Sequence, residues 1–378
     1  MDSRNLMHTP IFDLRVTDQQ LKEELTAALH QVLDHGRLFL GPEVEEFEEK
    51  IAKHIGMKYA VGVGSGSSAL FMALRACGIK EGDEVVTTPL SWIISSNAIR
   101  ACGAIPVFTD VREDFNIDPS DIEQKITVKT KAIVPVHYAG HMCDMDAISD
   151  LANKHGLIVV EDAAQAFGAE LSGAKAGSFS LAAALSMNPM KVLGGYGEAG
   201  AVVTDDENIF KQLKILRYAG TISDPKKYIT NDCREISLNH KMDTINAALL
   251  LVSLAHLPER IRIREGIAQR YDKELPSNIK TQKLLKGEIH GRYVYPILSG
   301  SRDLLKVYLE DHRVETKVMH EPLVCDAAVY RQYESDVPVA RNVLKRSLII
   351  PSHEKLSVGQ VDYILSLMHT FSECETTE

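Results

Sequence analysis

The stretch YAVGVGSGSSALFMALRACG, residues 59–78, decides the fold class, because two kinds of hydrophobic pattern follow each other within it. The apolar run at 59–63 predicts a buried strand, and the segment at 68–78 predicts a helix. A Gly/Ser turn separates them. A strand, a glycine-containing turn and a helix in this order are typical of an α/β unit.

Further apolar runs repeat this pattern along the chain, at 84–88, 104–111, 131–137, 157–163, 181–187 and 200–204. Helical segments lie between several of them, for example at 145–156. Continuous apolar strands with helical crossovers predict an α/β domain whose sheet is mostly parallel and covered by helices on both faces. Ligands of such a sheet are expected at the carboxyl ends of the strands.

The N-terminal segments predict two helices before this sheet. The first, within 16–36, carries a capping box of Thr17 and Gln20 and a stop signal at Gly36. The second begins at Pro42, a residue that the first turn of a helix accepts.

The pattern changes again after residue 243. Two long helices split at Pro258, a strand at 291–298 and helices at 303–312 and 358–371 predict a smaller α+β domain. We therefore predict a large α/β domain over residues 1–245 and a smaller C-terminal domain over residues 246–378.

Composition excludes several classes of function. The 378 residues carry a net charge of −10, from 42 basic and 52 acidic side chains, which argues against nucleic acid as a partner. The chain has no run of about 18 apolar residues for a membrane, and its first ten residues lack the apolar core of a signal peptide. The six cysteines form no C-x-x-C pair and no zinc spacing. They predict reduced thiols, a cytoplasmic location and no metal site.

The Gly/Ser turn is the first candidate binding feature. A helix N-terminus offers free N–H groups and a positive dipole end, which suit a phosphate. Gly66 allows close backbone approach, and Ser67 adds a hydroxyl donor. A plain serine-capped helix explains the turn equally well.

Asp162 is the second feature, in LIVVEDAAQAFGA at 157–169. A carboxylate after an apolar strand is costly unless it meets a cation or a hydrogen-bond donor. It is either a helix cap or the partner of a protonated ring nitrogen, with Gln165 nearby.

Lys191 is the third feature, in MNPMKVLGGYGEAGAVV at 187–203. A desolvated lysine becomes nucleophilic toward carbonyls, whereas the alternative is a lysine on a surface loop. Together the three features suit a ligand with a phosphate, a protonatable ring nitrogen and an aldehyde. Pyridoxal 5′-phosphate (PLP) has all three.

The order of these motifs resembles the DegT/DnrJ/EryC1/StrS family of sugar aminotransferases, which are fold-type I PLP enzymes. The resemblance extends nearly from end to end and includes FLGPEVEEFEE, GVGSGSSAL, PVHYAGHMCDMD, VVEDAAQAFGA, NPMKVLGGYGEAGAVVT and SLNHKMDTINAALL. It implies that Lys191 bonds covalently to the cofactor and that Asp162 pairs with the pyridine nitrogen. It also places Gln165 near the ring's 3-hydroxyl and Trp92 against the ring.

The same resemblance implies a phosphate site and an assembly. Gly66, Ser67 and Ser186 match phosphate contacts. Asn239 matches a phosphate contact from the neighbouring subunit, which implies a homodimer with shared active sites.

The chain departs from the family pattern around the substrate. His240 and Lys241 replace the usual aromatic residue and arginine after Asn239, Asn188 stands where histidine or tyrosine is common, and KVMHEPLVCDAAVY lacks the usual proline-leucine-histidine arrangement. The block around Lys191 is most similar to the family branch that aminates an octulosonate sugar acid at C8. This implies glutamate as donor, 2-oxoglutarate as its product and a sugar-acid acceptor.

A sugar acid and glutamate both bring carboxylates, so polar and cationic residues are candidate substrate contacts: His240, Lys241, His320 and Asn188. A solvent-facing position explains each of them as well.

Alternative functions are an aminotransferase for a nucleotide-linked keto sugar, a non-catalytic PLP-binding regulator, and a nucleotide-sugar binding protein without PLP. A dehydratase of the same family would carry histidine in place of Lys191.

Overall fold

A computed structural model describes residues 7–222, 232–333 and 335–375 of the chain. Residues 1–6 belong to the stretch that lacks a signal-peptide pattern, and they lie outside the described residues. Within the described ranges, no helix combines the length and the apolar character that crossing a bilayer requires.

The helices of the described residues are α1 (Gln19–His35), α2 (Pro42–Ile55), α3 (Gly66–Ala76), α4 (Ile94–Ala101), α5 (Pro119–Lys125), α6 (Met145–His155), α7 (Glu207–Arg217), α8 (Thr244–Ala255), α9 (Leu257–Glu274), α10 (Arg302–Asp311), α11 (Pro338–Arg346) and α12 (Val358–Glu375). The strands are β1 (Tyr59–Val63), β2 (Glu84–Thr87), β3 (Ile105–Phe108), β4 (Thr130–Val134), β5 (Ile158–Asp162), β6 (Glu170–Leu171), β7 (Ala174–Lys175), β8 (Ala182–Ser186), β9 (Gly200–Thr204), β10 (Lys280–Thr281), β11 (Glu288–Ile289), β12 (Tyr295–Leu298) and β13 (Ser347–Ile350).

A seven-stranded sheet forms the centre of the molecule, in the order β1-β9-β8-β5-β4-β2-β3. Strands β8, β5, β4, β2 and β3 are parallel, and β9 is antiparallel to both of its neighbours, β1 and β8. The mostly parallel sheet predicted from the apolar runs is therefore confirmed. Because β1, β2, β5 and β8 point the same way, the segments that follow them meet at one edge.

The sheet is buried on both faces, as its continuous apolar strands predict. Along β8, Ala182 and Ala184 belong to one hydrophobic core, whereas Ala183 and Leu185 belong to the other. The first pair packs with residues of α3, α4 and α7, and the second pair packs with residues of α2 and α6.

A three-stranded sheet pairs β12 with β10 and β13, both antiparallel. Residues of α9, α10 and α12 pack on it around a separate core, which contains Tyr271, Leu305, Leu348 and Ile364. The domain boundary at residues 245 and 246 stays a prediction.

The prediction of a capping box formed by Thr17 and Gln20 is wrong, because Asp18 caps α1. Its carboxylate accepts a hydrogen bond from the Leu21 N–H at 2.7 Å. The Gln20 side chain instead donates to Glu24, one turn along the helix, at 2.9 Å.

The other helix limits agree better with the sequence. Gly36 ends α1, Pro42 begins α2, and the break between α8 and α9 lies at His256, two residues before Pro258. The short helix α5 and the two-residue strands β6 and β7 have no counterpart in the sequence prediction, since elements this short show too little periodicity.

Candidate active site

A cavity of about 540 Å³ lies where β1, β2, β5 and β8 end. Most of the predicted site residues line it: Gly66, Ser67, Trp92, Asp162, Gln165, Ser186, Asn188, Lys191 and His320. They come from segments up to 254 residues apart in sequence, between positions 66 and 320, and the parallel strands bring them together.

Lys191 is half-buried on the loop that joins β8 to β9. Its N–H donates to the Asn188 carbonyl at 2.8 Å, in a turn that requires Gly194, since a Cβ there would lie 2.5 Å from the Pro189 carbonyl oxygen. The ammonium lies 3.9 Å from the ring centroid of Tyr293. Burial lowers the pKa of Lys191 to about 8. An amine with this pKa is partly neutral, and hence nucleophilic, near neutral pH.

Asp162 is buried at the end of β5. Turns follow it instead of a helix, so the helix-cap interpretation is wrong. Its Oδ2 accepts a hydrogen bond from the Ser95 hydroxyl at 2.8 Å, and its Oδ1 accepts one from the Ala164 N–H at 3.2 Å. Burial raises the pKa of Asp162, although both hydrogen bonds and the charge of Lys191 oppose the shift. A cation in the cavity would lower the pKa of Asp162 again and stabilise its charged form.

The N-terminus of α3 forms one end of the cavity. Ser65 caps the helix, because its hydroxyl oxygen accepts a hydrogen bond from the Ser68 N–H at 3.1 Å. The N–H groups of Gly66 and Ser67 have no acceptor among the described residues. A Cβ on Gly66 would lie 2.6 Å from the Cβ of Ser186, so only glycine lets the helix start reach Ser186. The serine cap therefore leaves two N–H groups at the start of α3 available to an anion.

Trp92 and Gln165 offer unused contact groups. Trp92 lines the cavity and is nevertheless 63% exposed, which leaves its indole available for stacking. The Gln165 side-chain oxygen accepts a hydrogen bond from the Ala139 N–H at 3.0 Å. Its amide N–H groups have no acceptor among the described residues.

Two predicted substrate residues line the cavity, and they differ in whether their side chains already have hydrogen-bond partners. The imidazole of His320 stands edge-on to Tyr138, and its buried Nε2 has no hydrogen-bond partner in the described part of the chain. The side chain of Asn188 is already engaged, since it donates to Glu198 at 2.7 Å and accepts from the Met190 N–H at 3.0 Å.

Asn239, His240 and Lys241 do not line this cavity. His240 lies behind α3, where its Nδ1 is 2.9 Å from the hydroxyl of Ser68. The ammonium of Lys241 lies 4.2 Å from the ring centroid of Tyr218. Asn239 is exposed. Within one chain, His240 and Lys241 are therefore separate from Lys191, and their role as substrate contacts stays a prediction.

Several lining residues were not singled out from the sequence, among them Ser91, Ser95, Glu198, Tyr293 and Lys317. Ser95 stands three positions after Trp92, so a search for donors near the aromatic residue would have found it. Tyr293 and Lys317 carry no local signal, because they approach Lys191 only after the C-terminal segments fold back on the large sheet.

The comparisons with known proteins agree with this geometry. The sequence pattern of the DegT/DnrJ/EryC1/StrS aminotransferase family matches residues 19–369. The chain belongs to this family. It is 35% identical to the dTDP-3-amino-3,4,6-trideoxy-alpha-D-glucose transaminase of Streptomyces venezuelae, over 96% of each chain. It is 32% identical to the UDP-2-acetamido-2-deoxy-3-oxo-D-glucuronate aminotransferase of Pseudomonas aeruginosa, over 94% of this chain and 98% of the relative.

Another relative of the chain is named for regulation and not for a transaminase reaction. The chain is 35% identical to a Geobacillus stearothermophilus protein named as a pleiotropic regulatory protein, over 97% of this chain and 99% of the relative.

Solved structures of family members share the fold. S. venezuelae DesV in complex with a ketimine intermediate superposes with a TM-score of 0.91 at 35% identity, covering 97% of this chain and 99% of DesV. Bacillus subtilis NtdA with bound cofactor PMP gives a TM-score of 0.86 at 28% identity, covering 98% of this chain and 86% of NtdA. The predicted family, the fold class and the assignment as an aminotransferase are confirmed.

Proposed function

We propose that the chain is a PLP-dependent aminotransferase that moves the amino group of glutamate to the C8 aldehyde of 8-oxo-3-deoxy-manno-octulosonate, for lipopolysaccharide biosynthesis. The observation that carries the PLP chemistry is the joint position of Lys191 and Asp162 on one cavity with the cradle at Gly66. The cytoplasmic location predicted from the cysteines stays a prediction.

The cavity fits the functional groups of PLP. The unpaired N–H groups of Gly66 and Ser67, with the hydroxyl of Ser186, suit the phosphate. The buried carboxylate of Asp162 suits a protonated ring nitrogen. The free amide of Gln165 suits an oxygen substituent on the ring, and Trp92 offers a face for stacking.

PLP, when bound, supplies an aldehyde and a ring that accepts electron density. Asp162 holds the proton on the ring nitrogen, and this keeps the ring an electron acceptor. Lys191 would hold the cofactor, and its amine would act as the base and acid that moves the proton of the donor's Cα. The lowered pKa of Lys191 suits both directions of this transfer. Because donor and acceptor react in turn, ping-pong kinetics follow.

We also propose a homodimer with shared active sites. Asn239 is exposed and lies outside the cavity of its own chain, as a residue that reaches a neighbouring site must. Exposed apolar side chains occur near it, including Phe39 at 65% and Leu238 at 70%. Phe39 pairs with Asp243, four positions after Asn239. Apolar side chains exposed in this way favour burial against a second copy.

The acceptor proposal rests on the departures at Asn188, Lys241 and His320 from the family pattern, which change the substrate surroundings and keep the PLP groups. The Pseudomonas relative is named for a glucuronate, which shows that a carboxylated sugar is compatible with the family. A nucleotide-linked keto sugar is the competing acceptor, since several relatives are named for nucleotide-linked sugars.

Absorbance spectroscopy of the purified protein with PLP tests the cofactor chemistry. We expect a yellow protein that loses this band when glutamate is added and regains it with 2-oxoglutarate. Lys191→Ala should not form the band, whereas Lys80→Ala, a change at a surface lysine outside the cavity, should leave it intact. A wild-type protein that binds PLP but reacts with no amino donor would favour the non-catalytic regulator.

An acceptor panel tests the substrate separately. The pyridoxamine form of the enzyme is mixed with 8-oxo-3-deoxy-manno-octulosonate or with nucleotide-linked keto sugars, and the return of the yellow band is followed. We expect the octulosonate to react faster. Turnover of the nucleotide sugars alone would overturn the octulosonate assignment and leave the aminotransferase in place.

A further inference from the structure

A second lysine, Lys317, lines the same cavity as Lys191. Its backbone is fixed against β13, where it exchanges two hydrogen bonds with Ile349, at 3.1 and 2.8 Å. Its ammonium has no hydrogen-bond or ion-pair partner among the described residues. The cavity is thus lined by an exposed lysine whose backbone is fixed by strand pairing and whose ammonium forms no ion pair with the described residues.

His320 lies three residues after Lys317 and lines the same cavity. Its φ of +63° is in the left-handed region, which a non-glycine residue adopts only when its surroundings hold it there. Burial, followed by the charges of Lys191 and Lys317, lowers the pKa of His320 to about 3. The imidazole is therefore neutral near pH 7, and its unpartnered Nε2 can serve a ligand as a hydrogen-bond donor.

The acidic residues of the cavity do not neutralise Lys317. Asp162 accepts hydrogen bonds from Ser95 and Ala164, and Glu198 accepts the amide of Asn188. Neither carboxylate forms an ion pair with Lys317. An ammonium and a neutral imidazole donor that line the same cavity suit the two oxygens of a carboxylate, since charge-assisted hydrogen bonds are the strong ones.

We propose that Lys317 and His320 form a carboxylate-binding subsite, which holds the side-chain carboxylate of the glutamate donor. In the second half-reaction the same subsite takes the carboxylate of an acidic acceptor, because a ping-pong reaction brings both substrates to one cavity in turn. This inference rests on the proposed function and deepens it. It places the recognition of acid groups within the chain that carries Lys191, away from His240 and Lys241.

The donor half-reaction of the PLP-loaded enzyme tests the subsite without any acceptor. Glutamate is compared with glutamine, whose side-chain amide has a similar shape and no charge. In Lys317→Met we expect the single-turnover efficiency with glutamate to fall about tenfold or more, as the loss of a charge-assisted hydrogen bond predicts. The efficiency with glutamine should change by less than about twofold. The glutamate concentration that gives half of the maximal rate should rise, whereas the maximal rate itself should stay unchanged. The reason is that the subsite binds glutamate away from the reacting bond.

Further variants separate charge from structure. Lys317→Arg keeps a cation and should retain the preference for glutamate. Lys345→Met removes an exposed charge on α11, outside the cavity, and should behave as wild type. His320→Asn keeps a neutral donor and should lower the efficiency with glutamate less than His320→Leu does. The PLP colour of each variant shows that it is folded.

Two results would overturn the subsite: an unchanged preference for glutamate over glutamine in Lys317→Met, or an equal loss with both donors. A wild-type enzyme that takes up PLP and reacts with neither amino acid would instead overturn the proposed function, and the donor role of the subsite with it.

Discussion

Asp162 is a buried carboxylate whose two hydrogen-bond donors, Ser95 and Ala164, leave it without a directly paired cation. The change Asp162→Asn keeps the shape and removes the charge that would hold a ring proton. We expect the rate of the glutamate half-reaction, followed by absorbance, to fall about 100-fold or more, as for other charge-stabilising groups. PLP binding should persist, since the phosphate cradle is separate. A half-reaction within about twofold of wild type would contradict this role.

Lys191 gives a pH-dependent prediction. Because burial lowers its pKa to about 8, apoprotein should bond covalently to PLP slowly below pH 8 and faster as the amine loses its proton, up to a plateau above that pH. The charge of Asp162 opposes this lowering. The midpoint for Asp162→Asn should therefore lie at lower pH than the midpoint for wild type. Stopped-flow absorbance over a pH series measures both, and coincident midpoints would exclude electrostatic coupling between the two groups.

Loops between elements carry a second buried charge cluster, away from the cavity. His141 lies 2.8 Å from Glu288, which is on β11, and 3.6 Å from Asp114. Burial disfavours its charge, but the two carboxylates outweigh burial and raise the pKa of His141 to about 9. The cluster thus joins the loop after β4 to β11.

This cluster predicts how stability changes with pH. The folded pKa of His141 is raised above 6.5, so its contribution is complete below pH 6.5 and is lost as pH rises to about 9. The contribution amounts to about 3 kcal/mol, from about 1.4 kcal/mol per unit of pKa. Urea unfolding between pH 6 and 9.5 should show this decline in wild type and a smaller one in His141→Gln. Parallel curves would show that His141 does not titrate in this window.

The elements of the large sheet could be predicted from the sequence because each apolar strand is long enough to show its pattern. Asp162 and Lys191 could be placed because Asp162 ends such a strand and Lys191 lies in the loop after another. The Asp18 cap was missed because Thr17, Asp18 and Gln20 offer overlapping capping signals. Lys317 could not be predicted as a cavity residue, since its position depends on pairing with Ile349 and on how the C-terminal segments pack.

At the scale of the whole molecule, the proposed dimer predicts a coupling between assembly and activity. Phe39→Arg places a charge on a residue that is 65% exposed and near Asn239 in the chain. We expect the dimer dissociation constant, measured by sedimentation, to rise about 100-fold or more, since burying one phenylalanine contributes about 2 kcal/mol per copy. PLP affinity should fall with it, because Asn239 of the partner subunit would be lost from the site.

Val128→Arg is the matched control for this change, because Val128 is 98% exposed and lies in a turn far along the chain from residues 39 and 239. It should leave both assembly and PLP affinity unchanged. A Phe39→Arg protein that remains dimeric would show that the interface lies elsewhere on the molecule. A monomer with full PLP affinity would contradict an active site shared between two subunits.

The loop that carries Lys191 is closed at its base by β8 and β9, where the Met187 N–H donates to the Ala199 carbonyl at 2.9 Å. A second bond, from the Gly195 N–H to the Met187 carbonyl at 2.9 Å, shortens the free span further. Opening the loop at its base would break these two hydrogen bonds, so its backbone is restrained. The amine must therefore travel by rotation of its own side-chain torsions, which takes picoseconds to nanoseconds. The proton transfers that we propose for Lys191 would then require no opening of this loop.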